Sequence, residues 1–436
     1  AYAEVVKRPA WKSFAQRDAV LFALGHMLGR AGRGAGALEV FKMLVQDHPG
    51  SRYVPDAYLA FADAAFLDGQ LDDALTGYDK VIKLGKARVV VYARYKRAWT
   101  LYNLSRQEAA LGGLLEVVAA AAADAKLALL ERTARRDVVR VYAKLGQASR
   151  ALALFRRASP GREAAARAML ADLPALYVER GRFAEAISTW HQLMKLLPAS
   201  AALCEWQLGV HRAQRALPGD EARVRELTRL VALARAVRAG KLALGKAAGL
   251  ECRRTAAAEA SELARLWHSE TVDAQQNIVL AGRIELVEQL YRLWLDAFAT
   301  DREVARLAEV AELRGYAADL VALRAEKERD PAQQRVRWAA AARMYEEVAR
   351  GGGTPAVIEE AAFGAVDAWA RALGGRPRPR LAEGAAAAAL PDDLAALVRS
   401  YDLYVKVVPR AAQRESERLG LAKAEVLFDY HHFVEA

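Results

Sequence analysis

Gly240-Lys241-Leu242-Ala243-Leu244-Gly245-Lys246 has the glycine and lysine spacing of a phosphate-binding loop. Such a loop needs a strand before it and a hydroxyl after its lysine to reach magnesium. Ala247 stands in the hydroxyl's place and no strand-like run precedes the segment, so it reads as a basic turn between helices. Gly32-Arg33-Gly34-Ala35-Gly36 also lacks a strand and reads as a turn. His431 and His432 are adjacent, which points them to different helix faces and makes a poor metal pair. His26, His211 and His268 stand singly and read as packing or surface residues. Asp72-Asp73, Glu346-Glu347 and Glu359-Glu360 read as solvated helix faces. No H-E-x-x-H, G-x-S-x-G or repeated D-x-D occurs. Cys204 and Cys252 form no C-x-x-C, which argues against zinc and thioredoxin chemistry. Their separation leaves open whether they pair. The expectation is a non-enzyme with no catalytic residue, no metal and no cofactor.

A different chemistry comes from Tyr92, Tyr95, Trp99 and Tyr102. Their spacing of 3, 4 and 3 places four aromatic rings on one helical face. Arg136 and Arg140 lie one turn apart and could clamp a carboxylate. Tyr, Trp and Arg are the residues that most often dominate protein-binding surfaces. Together they predict an aromatic-plus-arginine groove for an extended or helical peptide. The competing reading packs some of these rings against neighbouring helices.

The elements that must carry these residues are helices. Hydrophobic residues make up 54% and charged residues 27%, which suits a large core and excludes a wholly disordered chain. Alanine, leucine and arginine dominate, a bias that favours helix. The length fits several domains or one long repeat array. The 15 Lys and 49 Arg outnumber 53 acids for a net charge of +11. An arginine excess can mark a nucleic-acid surface. Here the basic residues are interleaved with acids and no block of five or six like charges occurs, so nucleic acid is not the expected partner. No uncharged apolar run is long enough to span a membrane, and Ala1 to Trp11 carry no signal peptide. The chain starts in mid-pattern, so a processed form is expected, with membrane association only indirect through a missing anchor or a partner.

Five segments share one pattern of large and small residues. The first reads Leu21, Gly25, Leu28, Gly32, Ala37, Phe41, Leu44, closed by Pro49. The second reads Tyr58, Ala62, Ala65, Gly69, Ala74, Tyr78, Val81. The third reads Ala98, Leu101, Ser105, Ala110, Leu114, Val117, and the fourth Val139, Tyr142, Gly146, Ala151, Phe155. The fifth reads Leu170, Pro174, Tyr177, Gly181, Ala186, Trp190, Leu193, closed by Pro198. The small residues let two helices approach, and the large ones fill the space between neighbouring pairs. Gly32, Gly69, Gly146 and Gly181 are expected in left-handed turns.

This pattern resembles the tetratricopeptide repeat (TPR) over residues 18 to 198. The repeats are spaced 37, 36, 41 and 35 residues apart, against the usual value of about 34. The resemblance implies an all-α, TPR-like α-solenoid, a right-handed superhelix of antiparallel helix pairs. It also implies a concave groove lined by each repeat's first helix. The groove residues would be Phe22, His26 and Arg30; Asp56, Leu59, Asp63 and Phe66; Tyr92, Tyr95, Trp99, Tyr102 and Asn103; Arg136, Arg140 and Lys144; and Ala168, Ala171, Ala175 and Glu179. The join from His48 to Tyr58 and the run Tyr92 to Trp99 resemble TPR proteins of bacterial cell envelopes.

After Pro198 the pattern is more divergent. Trp206, Leu208 and Gly209 suggest another first helix, and long helices are expected over about 221–238, 254–275, 277–298 and 302–328. Further helices are expected over 334–350 and 355–373. The organisation is then a five-repeat array over 1–198, divergent helical pairs over 199–373, a Pro/Gly/Ala linker over 374–391, and further TPR-like helices over 392–436, cut off in mid-repeat. The expected function is a protein-binding scaffold in a bacterial envelope assembly, periplasmic or envelope-associated. The alternative is a cytoplasmic adaptor. A protein or peptide would occupy the groove, and no small-molecule substrate is expected.

Overall fold

The computed structural model describes residues 14–85, 88–374, 381, 385–408 and 416–433. Among them it is an all-α, TPR-like solenoid of consecutive antiparallel helix pairs, and the only strand-like feature is an isolated bridge between Val272 and Ile278. The chain divides into two compact units, Ala1–Leu196 and Leu197–Ala436.

Among the described residues the first unit holds five pairs. They are α1 (Arg17–Arg30) with α2 (Gly34–Asp47), α3 (Val54–Leu67) with α4 (Leu71–Leu84), α5 (Arg88–Asn103) with α6 (Gln107–Ala122), α7 (Ala128–Leu145) with α8 (Ala148–Ala158), and α9 (Glu163–Val178) with α10 (Phe183–Leu196). The repeated positions are where the helices touch. Leu21, Leu44, Tyr78, Val81, Leu170, Tyr177 and Leu193 are fully buried, as are the small residues Ala74, Ala110, Ala151 and Ala186. Gly25 shows why a small residue is required, because a Cβ there would lie 2.6 Å from the Phe41 ring.

Four of the five turns within pairs close in the same way. Gly32, Ser105, Gly69 and Gly181 take left-handed φ values of 60 to 76°. The following amides of Arg33, Arg106, Gln70 and Arg182 donate to Leu28, Leu101, Ala65 and Tyr177 carbonyls at 2.8–2.9 Å. This satisfies carbonyls that a helix end otherwise strands. The expectation for Gly146 is corrected here. Its φ is −82° and its ψ 153°, an extended conformation open to any residue. Glycine is needed there because the Tyr142 ring lies where a Cβ would project. Pro49 and Pro198 follow the ends of α2 and α10, as proline's missing N–H requires.

The second unit contains α11 (Leu203–Arg215), α12 (Asp220–Arg238), α13 (Lys246–Thr271), α14 (Ile284–Phe298), α15 (Leu307–Lys327), α16 (Pro331–Gly351), α17 (Pro355–Ala372), α18 (Asp392–Val407) and α19 (Ser416–Asp429). Large rings form its cores. Trp294 is fully buried and donates from its indole nitrogen to Ala257 O at 3.0 Å. Trp267, Tyr291 and Phe298 join it in one cluster; Trp338, Trp369 and Tyr404 lie in the other. Cys204 and Cys252 form a disulfide that ties α11 to α13.

Three expectations change here. The helix expected from 254 begins at Lys246, immediately after the glycine-rich turn, which joins two helices and follows no strand. The helix expected from 277 begins at Ile284. Residues 272–280 are held out of helix by Asp273, whose carboxylate accepts from the Gln275 and Asn277 amides, and by the Val272–Ile278 bridge, and Ala281–Arg283 forms one 3-10 turn before α14. Glu346 is not a solvated acid, since it accepts from Trp369 Nε1 at 2.9 Å and Ser400 Oγ at 2.7 Å. Pro377, Pro379, Gly384, Pro409 and Val434 to Ala436 lie outside the described residues. His431 and His432 hold the polyalanine run, with ring nitrogens 2.9 Å from the Ala385 and Ala388 carbonyls.

Candidate functional site

The aromatic face of α5 lies against α7, and an acid that the sequence pattern did not single out organises the contact. Asp137 is 5% exposed. Its Oδ2 accepts from the Tyr95 hydroxyl at 2.8 Å and the Trp99 indole at 3.2 Å. Its other oxygen lies 3.5 Å from Arg140 Nη1. One carboxylate thus takes two ring donors and one guanidinium. Burial first, and then the Asp137 hydrogen bond, push the Tyr95 phenol up to about 12. Tyr95 and Trp99 are half-buried, and their polar ends are engaged.

The outer edge of this face is a ladder of cations over rings. The Arg140 guanidinium lies 6.0 Å from the Trp99 centroid and Lys144 Nζ 4.4 Å from that of Tyr102. Trp99 and Tyr102 meet edge to face at 5.2 Å. Tyr92 is 39% exposed and 6.4 Å from Tyr95. Asn103, Arg136, Arg140 and Lys144 are exposed. Arg136, Arg140 and Lys144 fall one turn apart on α7, so their charges share one side. Arg136 also opposes the rise that burial imposes on the Asp172 carboxyl of α9. Ala168 and Ala175 of α9 and Glu179 just past its end are exposed, and Ala171 is half-buried.

The earlier repeats contribute less free chemistry. Phe22 stacks on Tyr53 at 4.4 Å and meets His26 edge-on at 5.0 Å. His26 and Arg30 are exposed. Burial raises the Asp56 carboxyl, with His26 opposing. Asp63 is taken up internally: it accepts from the Tyr78 hydroxyl at 2.6 Å and lies 3.7 Å from Lys96. Lys96 in turn sits 4.4 Å from the Phe66 ring centroid. The placed residues thus concentrate on α5 and α7, with Phe22, His26 and Arg30 two repeats away.

Asp137 had one signal in the sequence. It is an acid inside an arginine stripe, at a position next to the buried Val138 and Val139. Charge is also divided by unit. Residues 1–196 hold 30 Lys and Arg against 19 Asp and Glu, while residues 197–436 hold 34 against 34. The whole excess of +11 belongs to the unit that carries the aromatic face.

No family model matches this chain, and no curated protein does. Solved structures do resemble it. A tetratricopeptide repeat protein from Parabacteroides merdae is 15% identical with a TM-score of 0.31, over 64% of this chain and 100% of that one. The TPR domain of P58(IPK) is 15% identical with a TM-score of 0.25, over 91% and 99%. A chain of Naa15/Naa10 bound to HypK-THB is 11% identical with a TM-score of 0.33, over 94% and 66%. The fold follows from the helix pairs themselves.

Proposed function

We propose that this chain is a non-enzymatic protein-interaction scaffold, and that its first unit binds an extended or helical segment of another protein along α5 and α7. The observation that carries this reading is the Tyr95–Trp99–Tyr102 face edged by Arg140 and Lys144 and braced by buried Asp137. Rings already fixed in place lose little freedom on binding, and exposed cations beside them select acidic or carboxylate-bearing segments. We place the scaffold in a bacterial envelope assembly. The Cys204–Cys252 disulfide supports an oxidising compartment over the cytoplasmic alternative, because structural disulfides persist where thiols are not kept reduced.

A photo-crosslinking amino acid at exposed Asn103 tests the surface in cells that make the full chain. The expected result is a discrete protein adduct that disappears when Arg140→Glu and Lys144→Glu are added. An adduct pattern indifferent to those changes, and to Tyr95→Ala with Trp99→Ala in a folded protein, removes the reading. Thiol alkylation before lysis reports the compartment: Cys204 and Cys252 should be blocked, and free thiols in the native host would place the chain in the cytoplasm.

A further inference from the structure

The second unit has an aromatic cavity of its own. It has a volume of about 330 Å³ and lies between α13, α14, α15 and the 272–283 segment. Three rings form its wall. The centroid of His268 is 5.6 Å from that of Tyr291 and 5.9 Å from that of Tyr316, with interplanar angles of 77° and 83°, and the two tyrosines are 6.4 Å apart. His268 Nδ1 lies 2.8 Å from the Tyr291 hydroxyl, which fixes the corner. Tyr291 is fully buried, while Tyr316 is 38% exposed and forms the mouth.

The charges lining the cavity leave one carboxylate without a cation. Arg265 is paired with Glu312 at 3.2 Å. Burial holds His268 below the usual imidazole range, so the ring is neutral at neutral pH. Asp319, one turn beyond Tyr316 on α15, accepts from the Tyr345 hydroxyl at 2.6 Å, and among the described residues no Lys or Arg pairs with it. Its surface is open to solvent, yet it sits in a concavity, and partial desolvation raises its carboxyl above the ordinary range. Gln276 projects from the overhanging segment and lines this cavity together with the next. That second cavity, about 340 Å³, adds Glu326 and Glu360, while its Arg371 is neutralised by Asp367 at 2.7 Å.

We propose that this cavity is a docking site for an organic cation presented by a Lys or Arg side chain of a basic peptide. The exposed face of Tyr316, backed by half-buried His268 and fully buried Tyr291, holds the cation, and Asp319 supplies the countercharge. The peptide's next basic residue would pass over Glu326 and Glu360. The proposal does not depend on the α5–α7 surface, whose edge is cationic and repels such a peptide.

The test uses the full chain and a fluorescent heptapeptide of alternating Gly and Lys, with a Gly/Glu counterpart. The Lys peptide should bind and the Glu peptide should not. Asp319→Asn and Tyr316→Ala should each weaken binding about tenfold, whereas Tyr316→Phe, which keeps the ring, and Leu129→Ala, an exposed position of the other unit, should leave it within about twofold. Millimolar n-butylammonium should displace the peptide, which identifies the side-chain cation as the recognised group. Equal binding of both peptides, failure of butylammonium to compete, or indifference to Asp319→Asn and Tyr316→Ala in folded variants would each overturn the site.

Discussion

The two units solve the problem of packing helix against helix with different materials. In the first, each pair closes on a small residue set against a large one, as Gly25 is against Phe41, and four turns repeat one hydrogen-bonded geometry. In the second, bulky rings fill the gaps: Trp267, Tyr291, Trp294 and Phe298 in one cluster, Trp338 and Trp369 in the other. A covalent tie and buried ion pairs add to these. Small-against-large packing demands a fixed register, because each glycine or alanine must meet its own partner. A ring cluster tolerates sliding and unequal helix lengths. The second unit's helices accordingly run from 13 to 26 residues and show no single repeat length.

The sharpest way to break the contrast is to remove a ring. Trp294→Ala deletes a fully buried indole together with its hydrogen bond to the Ala257 carbonyl, and should cost about 3–5 kcal/mol. Hydrogen exchange should show lost protection in α12 to α15, with α1 to α10 keeping theirs. Next comes the covalent tie. Converting Cys204 and Cys252 to Ser opens a loop of 48-residue separation, which should cost about 2–4 kcal/mol in denaturant melts and again leave the first unit's amides protected.

Asp137→Ala probes the first unit. It leaves the Tyr95 hydroxyl and Trp99 indole without their acceptor, and should cost about 2 kcal/mol while loosening the aromatic face. Tryptophan fluorescence and exchange in α5 would register it.

Acid separates the units further, with the smallest effect of all at Glu163. Glu259 is 7% exposed and lies 3.4 Å from His211 Nε2 and 2.8 Å from an Arg212 Nη; His211 first, then Arg212, hold its carboxyl down to about 2 against burial. A depressed carboxyl lends stability that is complete above its ordinary value of 4.5 and is lost as pH falls toward about 2. Protonation should therefore remove on the order of 2 kcal/mol from the second unit in that window. Glu259→Gln should flatten this acid limb. Glu163 of the first unit is held equally low by Arg156 and Arg167, but it is solvent-exposed, so Glu163→Gln should shift melting least and high salt should erase the difference.

What could be read from the sequence follows the same division. The fixed register of the first unit wrote itself into positions such as Leu21, Ala74 and Tyr177, so its helix pairs were legible. Asp137 was not, because its role depends on α5 arriving beside α7, 42 residues from Tyr95. Residues 272–283 looked helical because Ile278, Val279 and Leu280 continue an apolar pattern that the Asp273 turn interrupts. Gly146 carried the right residue for a different reason, ring clearance in place of turn geometry. The cysteine pairing rests on how α11 crosses α13, which spacing does not encode.

The bond between Cys204 and Cys252 also makes α12 and its two flanking turns part of a closed ring of chain. A protease that cuts the exposed turn between α12 and α13 would nick the molecule without parting it. The two pieces would travel as one in gel electrophoresis and fall apart only when a reductant is added.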